Sequence, residues 1–235
     1  MKQRVLVPEQ MDDPELDPDE HVRALNGLQR INSWTRNASL VWSQLLPIAL
    51  EDRQRCLRVL DVATGAADIP ISLLKRSAAS GVKLEIDACD FSENALRFAA
   101  ERCAAAKLAV RLFRHDVLHN EIPDQYDVVM CSQFLHHLPD ADVVVALQSM
   151  QRAATKRVIV VDLERGYANW LQVWFATRVL SRSKVVHFDG PQSVRAAFTI
   201  DEISRLAHQV GFVSFEVQRK WPCRFVLNGV TDGAR

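Results

Sequence analysis

Three aspartates stand where short β-rich segments of the sequence end, the position that ligand-binding carboxylates take in parallel sheets. Asp61 lies in "VLDVATGAAD", Asp90 ends "KLEIDACD" and Asp116 ends "AVRLFRHD". Carboxylates repel a pyrophosphate and accept hydrogen bonds from hydroxyl, ammonium and amino groups. Asp90 follows Gly65 by about 25 residues, slightly longer than the usual spacing of roughly 20 at which an acidic residue binds ribose hydroxyls. The pattern predicts a site for an adenosine-containing ligand.

The turn that follows the first of these segments, "VLDVATGAADIP", keeps a single glycine, Gly65, at its centre. A dinucleotide site uses G-x-G-x-x-G because the backbone must approach a pyrophosphate closely. Ala63 is expected to belong to the strand and Ala67 to the helix, where alanine costs little. Asp61 and Asp68 flank the turn and favour a ligand that carries an ammonium group, although Asp68 can equally cap the helix. The turn is therefore expected to form without cradling a pyrophosphate.

Candidate bases come later in the chain. His136 and His137 follow the fourth β-rich segment in "CSQFLHHLPD", where a histidine pair can accept a proton, or can only pack or cap. Asp162, in "VVDLERG", can accept a hydrogen bond from a substrate or pair with Arg165. His187 is a further candidate base in a segment that is expected to cover the site.

Helical segments alternate with these β-rich segments from residue 58 onward, which predicts a parallel sheet with helices on both faces. Near-continuous apolar runs are typical of strands covered on both faces. The predicted strands are residues 58–63, 83–90, 109–116, 126–132 and 157–164. Two runs in the tail, "FVSFEVQRK" and "CRFVLNG", are expected to pair antiparallel at the sheet edge. The predicted fold is α/β, a doubly wound, mostly parallel sheet with an antiparallel edge hairpin.

Polar residues at the expected helix starts support this alternation. Asp68, Ser92 and Asp140 can each cap a helix. Thr199 and Glu202 form a capping-box pattern that opens a further helix, for which Gly211 is a natural end.

The chain is expected to divide into an N-terminal region, residues 1–50, and a main domain, residues 51–235. The first region starts with an acidic, proline-spaced lead-in, and residues 20–50 predict two helices that break near "RINSWTRN". Leu25 and Leu28 lie at helical spacing in this helical extension, and Trp34 and Arg36 are expected to close the site from that side.

Residues 166–198 are too long for a plain crossover and predict a helix plus a loop that cover the site. Trp170, Trp174 and Phe175 recur at helical spacing in this cover insertion. A stripe of this kind more often belongs to a core, but at this position it favours a pocket for an aromatic or lipophilic molecule.

Composition excludes several classes of function. The sequence has 29 basic and 29 acidic residues, which gives no electrostatic reason to expect a nucleic-acid or anionic-membrane partner. Five scattered cysteines without a CxxC pair predict free thiols in a reducing cytoplasm and no metal site. The polar start and the lack of a long apolar run predict neither a signal peptide nor a membrane span.

The successive motifs "LDVATGAAD", "DACDFSENAL", "RHDVL" and "YDVVMCSQFLHHLPD" resemble those of the class I S-adenosylmethionine-dependent methyltransferases. The resemblance covers about residues 57–165 and the tail. "HHLPD" and the alanine in place of the first glycine are similar to the ubiquinone/menaquinone-biosynthesis type, whereas Ala67 stands where the family usually has glycine. The resemblance implies a Rossmann-like sheet and S-adenosyl-L-methionine as the cofactor.

The resemblance also implies which residues contact the cofactor. They are Asp61, Ala63, Thr64, Gly65, Asp68, Asp90, Phe91, Asp116, Val117 and Ser132. Gly65 then lies against the methionine part and Asp90 against the ribose. The adenine is expected between Asp116, Val117 and Phe91. A positive sulfonium nearby disfavours the imidazolium form of His136 or His137 and keeps either ring able to accept a proton.

The implied activity is methyl transfer from S-adenosylmethionine to oxygen or carbon of a small, aromatic or lipophilic molecule, by a protein that can form a homodimer. Two alternatives remain at this point, a non-catalytic S-adenosylmethionine-binding module and a nucleic-acid methyltransferase. The neutral charge disfavours nucleic acid, and no Asn-Pro-Pro-Tyr-type loop follows the fourth strand. A dehydrogenase is disfavoured because the glycine fingerprint is missing.

Overall fold

Seven strands form the centre of the molecule in the computed structural model, which describes residues 1, 3–12, 16–17, 20, 23–24, 27, 30–31 and 37–233. The strands are β1 (Leu57–Val62), β2 (Leu84–Asp90), β3 (Arg111–Arg114), β4 (Tyr126–Ser132), β5 (Ala154–Leu163), β6 (Ser214–Lys220) and β7 (Arg224–Val230). Their order in the sheet is β3-β2-β1-β4-β5-β7-β6. β1 to β5 pair in parallel, whereas β7 pairs antiparallel with both β5 and β6. The predicted doubly wound sheet with an antiparallel edge pair is confirmed.

Helices cover both faces of this sheet. They are α1 (Asn37–Glu51), α2 (Asp68–Ser80), α3 (Glu93–Ala106), α4 (Asp140–Ala153), α5 (Tyr167–Leu180), α6 (Lys184–Ala196) and α7 (Ile200–Val210). α1 and α2 pack on one face, where Leu45 and Leu73 are fully buried beside Val59 of β1. α4 and α7 pack on the opposite face, where Leu147 and Ile203 are fully buried. Because β1 and β4 are covered on both sides, nearly all of their residues are buried.

The strand order reverses between β1 and β4, since β2 and β3 lie on one side of β1 and β5 lies beyond β4. Ligands of doubly wound sheets bind beyond the carboxyl ends of the strands at this reversal. The turn after β1 and the segment after β4 therefore face the same space.

Two of the predicted helix caps are wrong. α2 begins at Asp68, but its N-cap is Ala67 and no side chain caps it. Pro139 is the N-cap of α4, so Asp140 lies inside the first turn and binds Arg4 instead. Ser92 does cap α3, by accepting from the backbone N–H of Ala95.

The predicted capping box of α7 is present, since Thr199 and Glu202 each accept from the backbone N–H of the other. Gly211 ends this helix with φ 88°, a left-handed conformation that glycine adopts without strain.

The cover insertion consists of two helices, α5 and α6, so the expectation of one helix plus a loop is wrong. The helices approach closely at Gly190, where an added Cβ would lie 2.6 Å from the Cγ2 atom of Thr177.

Among the described residues, no helix has the length and apolar character needed to cross a membrane.

The N-terminal region is described in part. The described residues between 20 and 31 are helical, and α1 begins at Asn37. Leu25, Leu28, Trp34 and Arg36, and most of the predicted helix break, lie outside the described residues. Residues 3–12 run across α6, with the Nε atom of Arg4 donating to the carbonyl of Ala196 at 2.7 Å.

Candidate functional site

The turn after β1 has three residues in the left-handed region, Ala63 (φ 54°), Gly65 (φ 55°) and Ala67 (φ 57°). The sequence prediction that the two alanines lie in ordinary strand and helix conformations is therefore wrong. A left-handed alanine is strained by about 1–2 kcal/mol, and the neighbouring contacts must compensate. Ala67 is completely buried and packs against Ile71 and Ala99. Nothing lies within 4 Å of the place where a Cβ of Gly65 would stand, so the backbone there is open to a ligand.

Asp90 holds this turn against the end of β2. Its Oδ2 atom accepts from the backbone N–H of Gly65 at 2.9 Å, and its Oδ1 atom accepts from the N–H of Ser92 at the same distance. Each carboxylate oxygen has two lone pairs, so one acceptor position per oxygen remains after these contacts. The carboxylate can therefore fix the turn and accept from a ligand at once.

Asp61 lies behind the turn and is 2% exposed. Thr64 donates its hydroxyl proton to the Oδ2 atom of Asp61 at 2.7 Å. Burial raises the pKa of Asp61 to about 7, the Thr64 hydrogen bond opposes this rise, and the charge of Asp90 adds to it. A cation that binds at the turn would stabilise the ionised form of this carboxyl.

The remaining predicted cofactor residues lie around this turn and the end of β3. Asp68 forms an ion pair with Arg102 of α3. Asp116 accepts from the backbone N–H of Leu118 at 3.0 Å, and its other oxygen lies 2.9 Å from the Nδ1 atom of His119.

Two apolar residues flank Asp90 and Asp116 along the chain. Val117 is buried in the core, whereas Phe91 is 62% exposed and lies under the guanidinium of Arg114. An exposed aromatic ring beside two strand-end carboxylates provides a face on which a planar ligand can stack.

Ser132, at the end of β4, has a partner that sequence reasoning missed. The hydroxyl oxygen of Ser132 accepts from the side-chain amide of Asn37 at the start of α1. Asn37 is 1% exposed, and its Oδ1 atom has no hydrogen-bond partner among the described residues. A buried unpaired acceptor is costly, and it offers a contact to the ammonium or hydroxyl of a ligand. No local pattern marks Asn37, because its role depends on a contact between the ends of α1 and β4.

His136 lies in the short 3-10 turn Leu135–His137 that follows β4 and is held by Asp162 of β5. The Nδ1 atom of His136 is 2.7 Å from Oδ1 of Asp162, and its backbone N–H donates to Oδ2 at 3.1 Å. Burial lowers the pKa of His136, but the charge and hydrogen bond of Asp162, with Glu9 adding to them, raise it to about 10. His136 is therefore an imidazolium at neutral pH, contrary to the expectation of a neutral ring.

Burial opposes the charge of Asp162, but the adjacent His136 offsets this and holds the pKa of that carboxyl below its usual value. The predicted alternative, a pair between Asp162 and Arg165, is wrong. Arg165 binds Glu202 of α7 and the carbonyl of Ala197 instead.

His137 stacks on His136, with ring centroids 4.2 Å apart. It is the more exposed of the two and borders a cavity. Partial removal from water, together with the positive charge of His136, lowers the pKa of His137 to about 4. His137 is therefore the neutral member of the pair.

A cavity of about 120 Å³ lies between the 3-10 turn, the cover helices and β7. Its lining combines apolar side chains with a few charged ones. The described lining residues are Glu9, Ile31, Gln133, His136, His137, Leu163, Gln172, Val173, Ala176, Thr177, Val186, Asp189, Gly190, Ser193, Pro222, Cys223 and Arg224. Small-molecule sites have this character, largely apolar with few polar groups.

The predicted aromatic stripe does not line this cavity. Trp170 packs against Leu163, whereas Trp174 and Phe175 are 36% and 62% exposed. The residues of α5 that line the cavity are Gln172, Val173, Ala176 and Thr177, of which Val173 and Ala176 are apolar.

His187 is also absent from the cavity lining. It lies within α6, where its Nε2 atom is 2.9 Å from the carbonyl oxygen of Ser181. That contact turns its ring toward the helix-helix connection.

Sequence reasoning missed Glu9 and Arg224, which bring opposite charges to the cavity from distant parts of the chain. Glu9 lies 3.9 Å from the Nε2 atom of His136, an ion-pair contact and not a hydrogen bond. Its carboxylate accepts from the hydroxyl of Ser193. Although the sequence predicted no metal site, ligand atoms of Glu9, His136 and His137 all lie within 4.8 Å of one another.

The central part of the chain is similar in sequence to known proteins. Residues 59–157 match the model of a family described as a methyltransferase domain. A demethylmenaquinone methyltransferase of Deinococcus radiodurans is 34% identical over 108 residues, which are 46% of this chain and 42% of that protein. A ubiquinone biosynthesis O-methyltransferase of Acinetobacter baylyi is 32% identical over 94 residues, or 40% of this chain and 38% of that protein. The matching part therefore spans less than half of each relative.

Solved structures share the fold over most of the chain. A magnesium protoporphyrin IX methyltransferase of Synechocystis PCC 6803 with bound SAH superposes with a TM-score of 0.60 at 16% identity, covering 93% of this chain and 90% of that one. A structure from Nostoc punctiforme PCC 73102, named as a putative O-methyltransferase, superposes with a TM-score of 0.65 at 18% identity. The superposition covers 97% of this chain and 64% of that one. At such identities the likeness shows the fold alone, a Rossmann-like sheet with helices on both faces.

Proposed function

We propose, from the match of residues 59–157 to a methyltransferase domain family, that the protein transfers a methyl group from S-adenosylmethionine to oxygen or carbon of a small aromatic or lipophilic molecule. One observation carries this proposal beyond the fold. The amide of Gly65, the carboxylate of Asp90 and the unpartnered Oδ1 atom of Asn37 lie around the reversal point of the sheet. These groups suit a ligand that combines ribose hydroxyls with an ammonium group.

The residues around the turn after β1 suit each part of the cofactor. The open space at Gly65 admits a ligand against the backbone. Asp90 retains acceptor capacity for two ribose hydroxyls, and Phe91 offers an exposed ring to the adenine. Asp61 and Asn37 provide acceptors for the ammonium group. Asp116 and Val117 take the adenine edge, while Ala63, Thr64 and Asp68 belong to the turn. Ser132 positions the side chain of Asn37.

The acceptor is proposed to occupy the cavity beside the histidine pair. A volume of about 120 Å³ is similar to that of an engineered cavity of about 150 Å³ that holds one benzene molecule. The cavity therefore suits one ring of an acceptor. Leu163, Val173 and Val186 supply apolar contacts to that ring.

S-adenosylmethionine, when bound, supplies an electrophilic methyl group. The contribution of the chain is positioning, which is worth effective molarities of about 10⁵–10⁸ M in well-oriented reactions. The imidazolium of His136, oriented by Asp162, is placed to donate a hydrogen bond from Nε2 to an acceptor oxygen and to favour its ionised form. His137 is neutral, and with a pKa of about 4 it is a weak base that can accept a hydrogen bond from the acceptor. His187 has no part in this proposal, since its ring binds the carbonyl of Ser181.

Further proposals concern the whole chain. We treat residues 51–235 as the catalytic domain with its cover insertion at 166–198, and residues 1–50 as an extension that contributes Glu9 to the cavity. A homodimer and a cytoplasmic location are likewise proposed. The alternative of a non-catalytic S-adenosylmethionine-binding module predicts cofactor affinity without turnover.

Calorimetric titration with S-adenosylmethionine, S-adenosylhomocysteine and NAD tests the cofactor. Binding of the first two without NAD is expected, and binding of NAD alone would overturn the proposal. Incubation with methyl-labelled cofactor and a panel of phenols and quinone-like compounds then tests turnover. Cofactor binding with no labelled product across the panel would favour the non-catalytic module, and labelled DNA or RNA would favour the nucleic-acid alternative.

A further inference from the structure

Arg224 is a buried cation in the wall of the acceptor cavity. It begins β7, is 2% exposed and is one of the residues that line the cavity. Its Nη1 atom donates to the carbonyl of Pro222 at 3.2 Å, and its Nη2 atom makes only a long contact of 3.4 Å with Oε1 of Gln133. Its Nε atom is shut off from water and has no hydrogen-bond partner among the described residues.

The positive charge of the Arg224 guanidinium has little compensation from nearby negative charge. Within the described parts of the chain, no carboxylate forms an ion pair with Arg224. Burial lowers the pKa of Arg224 to about 10, which leaves the group charged at neutral pH. Burial of an unpaired charge is among the most unfavourable arrangements in a protein, and a ligand that supplies the missing charge recovers this cost.

The acidic groups of the cavity do not fill this role, because each has other partners. Asp189 accepts from the backbone N–H groups of Gln10 and Met11 at 2.9 and 3.1 Å. Glu9 is bound by Ser193 and faces the His136 imidazolium.

Asp162 is fully buried, and although its charge acts on Arg224, its carboxylate is bound by His136. Arg224 is consequently the cation with the least compensation among the described lining residues.

We propose that Arg224 binds a carboxylate group carried by the methyl acceptor, which would be a ring-sized aromatic or lipophilic acid. This inference rests on the proposed function, since it assigns a chemical class to that acceptor. A carboxylate suits this site because its two oxygens can pair bidentately with the guanidinium edge formed by Nε and Nη2, and that edge opens to a ligand once the Gln133 side chain moves aside. The long contact to Gln133 is the one that the carboxylate replaces, and Gln133 itself lines the cavity.

Binding of two matched pairs of probes tests the proposal. Benzoate and 4-hydroxybenzoate carry the carboxylate, and benzamide and 4-hydroxybenzamide are neutral molecules of the same shape. Each is titrated into the full chain, with and without S-adenosylhomocysteine. The wild type is compared with Arg224→Gln, which removes the charge, and with Arg219→Gln as control. Arg219 lies on the adjacent strand β6, is largely exposed and pairs with Glu164 outside the cavity lining.

The wild type and Arg219→Gln are expected to bind each acid about tenfold or more tightly than its amide, the range for a hydrogen bond to a charged group. Arg224→Gln is expected to lose that preference. Equal affinity for acid and amide in the wild type, binding of neither, or a preference that persists in Arg224→Gln would each overturn the proposal.

Two further measurements keep the test decisive. If Arg224→Gln fails to fold, Arg224→Lys retains the charge without the planar fork and is expected to weaken acid binding while amide binding stays the same. An unchanged preference in Arg224→Lys would count against bidentate binding. Loss of S-adenosylhomocysteine binding alongside a retained preference for acids would overturn the proposed methyl transfer and leave the anion site standing.

Discussion

His136 and Asp162 are joined at two points, since Nδ1 of the ring lies 2.7 Å from Oδ1 and the backbone N–H donates to Oδ2 at 3.1 Å. One buried carboxylate thereby fixes the ring orientation and the 3-10 turn that carries it. The Nε2 atom of His136 is left to face the cavity, where Glu9 is its nearest acidic neighbour at 3.9 Å. Asp162 thus determines both the charge and the direction of the histidine.

Replacing Asp162 by Asn is expected to return the pKa of His136 from about 10 toward or below its ordinary value. The reason is that burial alone lowers it once the carboxylate is gone. Removal of one member of a buried pair is also expected to cost about 3–5 kcal/mol of unfolding free energy. Histidine-selective NMR titration measures the pKa, and chemical denaturation at pH 7 measures the stability.

The same pair predicts how stability depends on pH. The pKa of His136 is raised by folding from 6.5 to about 10, so its contribution is complete below about pH 6.5 and is lost as the pH rises through about 10. Melting temperatures between pH 6 and 10 should therefore fall more in the wild type than in Asp162→Asn. Glu20→Gln is the control, because its exposed pair with Arg23 is worth at most about 1 kcal/mol. Equal slopes in all three proteins would contradict a charged His136.

Asp90→Asn is expected to weaken binding of S-adenosylhomocysteine far more than Asp68→Asn. The first change puts an amide donor where Gly65 and the proposed ribose both require an acceptor, at a cost of about 1–3 kcal/mol. The second removes only the ion pair with Arg102. Calorimetric titration of both variants decides this, and equal losses would show that the ribose lies elsewhere.

The elements that position the cofactor residues were predictable because their signals are local. Apolar runs ended by aspartate marked the carboxyl ends of β1 and β2, and the capping box at Thr199 marked the start of α7. The left-handed conformations of Ala63 and Ala67 were not predictable, since alanine gives no sign of them. They result from the need to turn sharply between a buried strand and a buried helix.

Gly65→Ala is expected to lower both stability and cofactor affinity, whereas Gly81→Ala is expected to lower stability alone. Both glycines have positive φ, and nothing lies within 4 Å of the position that an added methyl would take at either one, so each change costs about 1–2 kcal/mol of backbone strain. Only the methyl at Gly65 enters the space proposed for the cofactor. Thermal melting and S-adenosylhomocysteine titration of the two variants separate these effects, and unchanged affinity in Gly65→Ala would place the ligand away from the turn.

The acceptor side was less predictable because its residues meet only in three dimensions. Glu9, His136 and Arg224 come from the N-terminal segment, the turn after β4 and the edge strand. The sequence could not distinguish the two adjacent histidines, since only one of them contacts Asp162. It also could not show which face of α5 is turned inward, because that helix carries apolar side chains on more than one face.

Two adjacent residues of α5 give the sharpest test of the acceptor pocket. Val173 lines the cavity, whereas Trp174 is 36% exposed and lies under the guanidinium of Arg178 at 4.1 Å. Val173→Ala is expected to raise the acceptor KM by about tenfold or more, because it removes two methyl groups and each methylene-sized contact in an apolar pocket is worth about 1–3 kcal/mol. Trp174→Ala removes a much larger side chain but is expected to leave KM unchanged. It is expected to cost more stability than the ~0.5–1 kcal/mol of an exposed cation–π contact, because most of the ring is also removed from water. S-adenosylhomocysteine affinity should be the same in both variants, and a rise in KM confined to Trp174→Ala would mean that the acceptor binds on the outer face of α5.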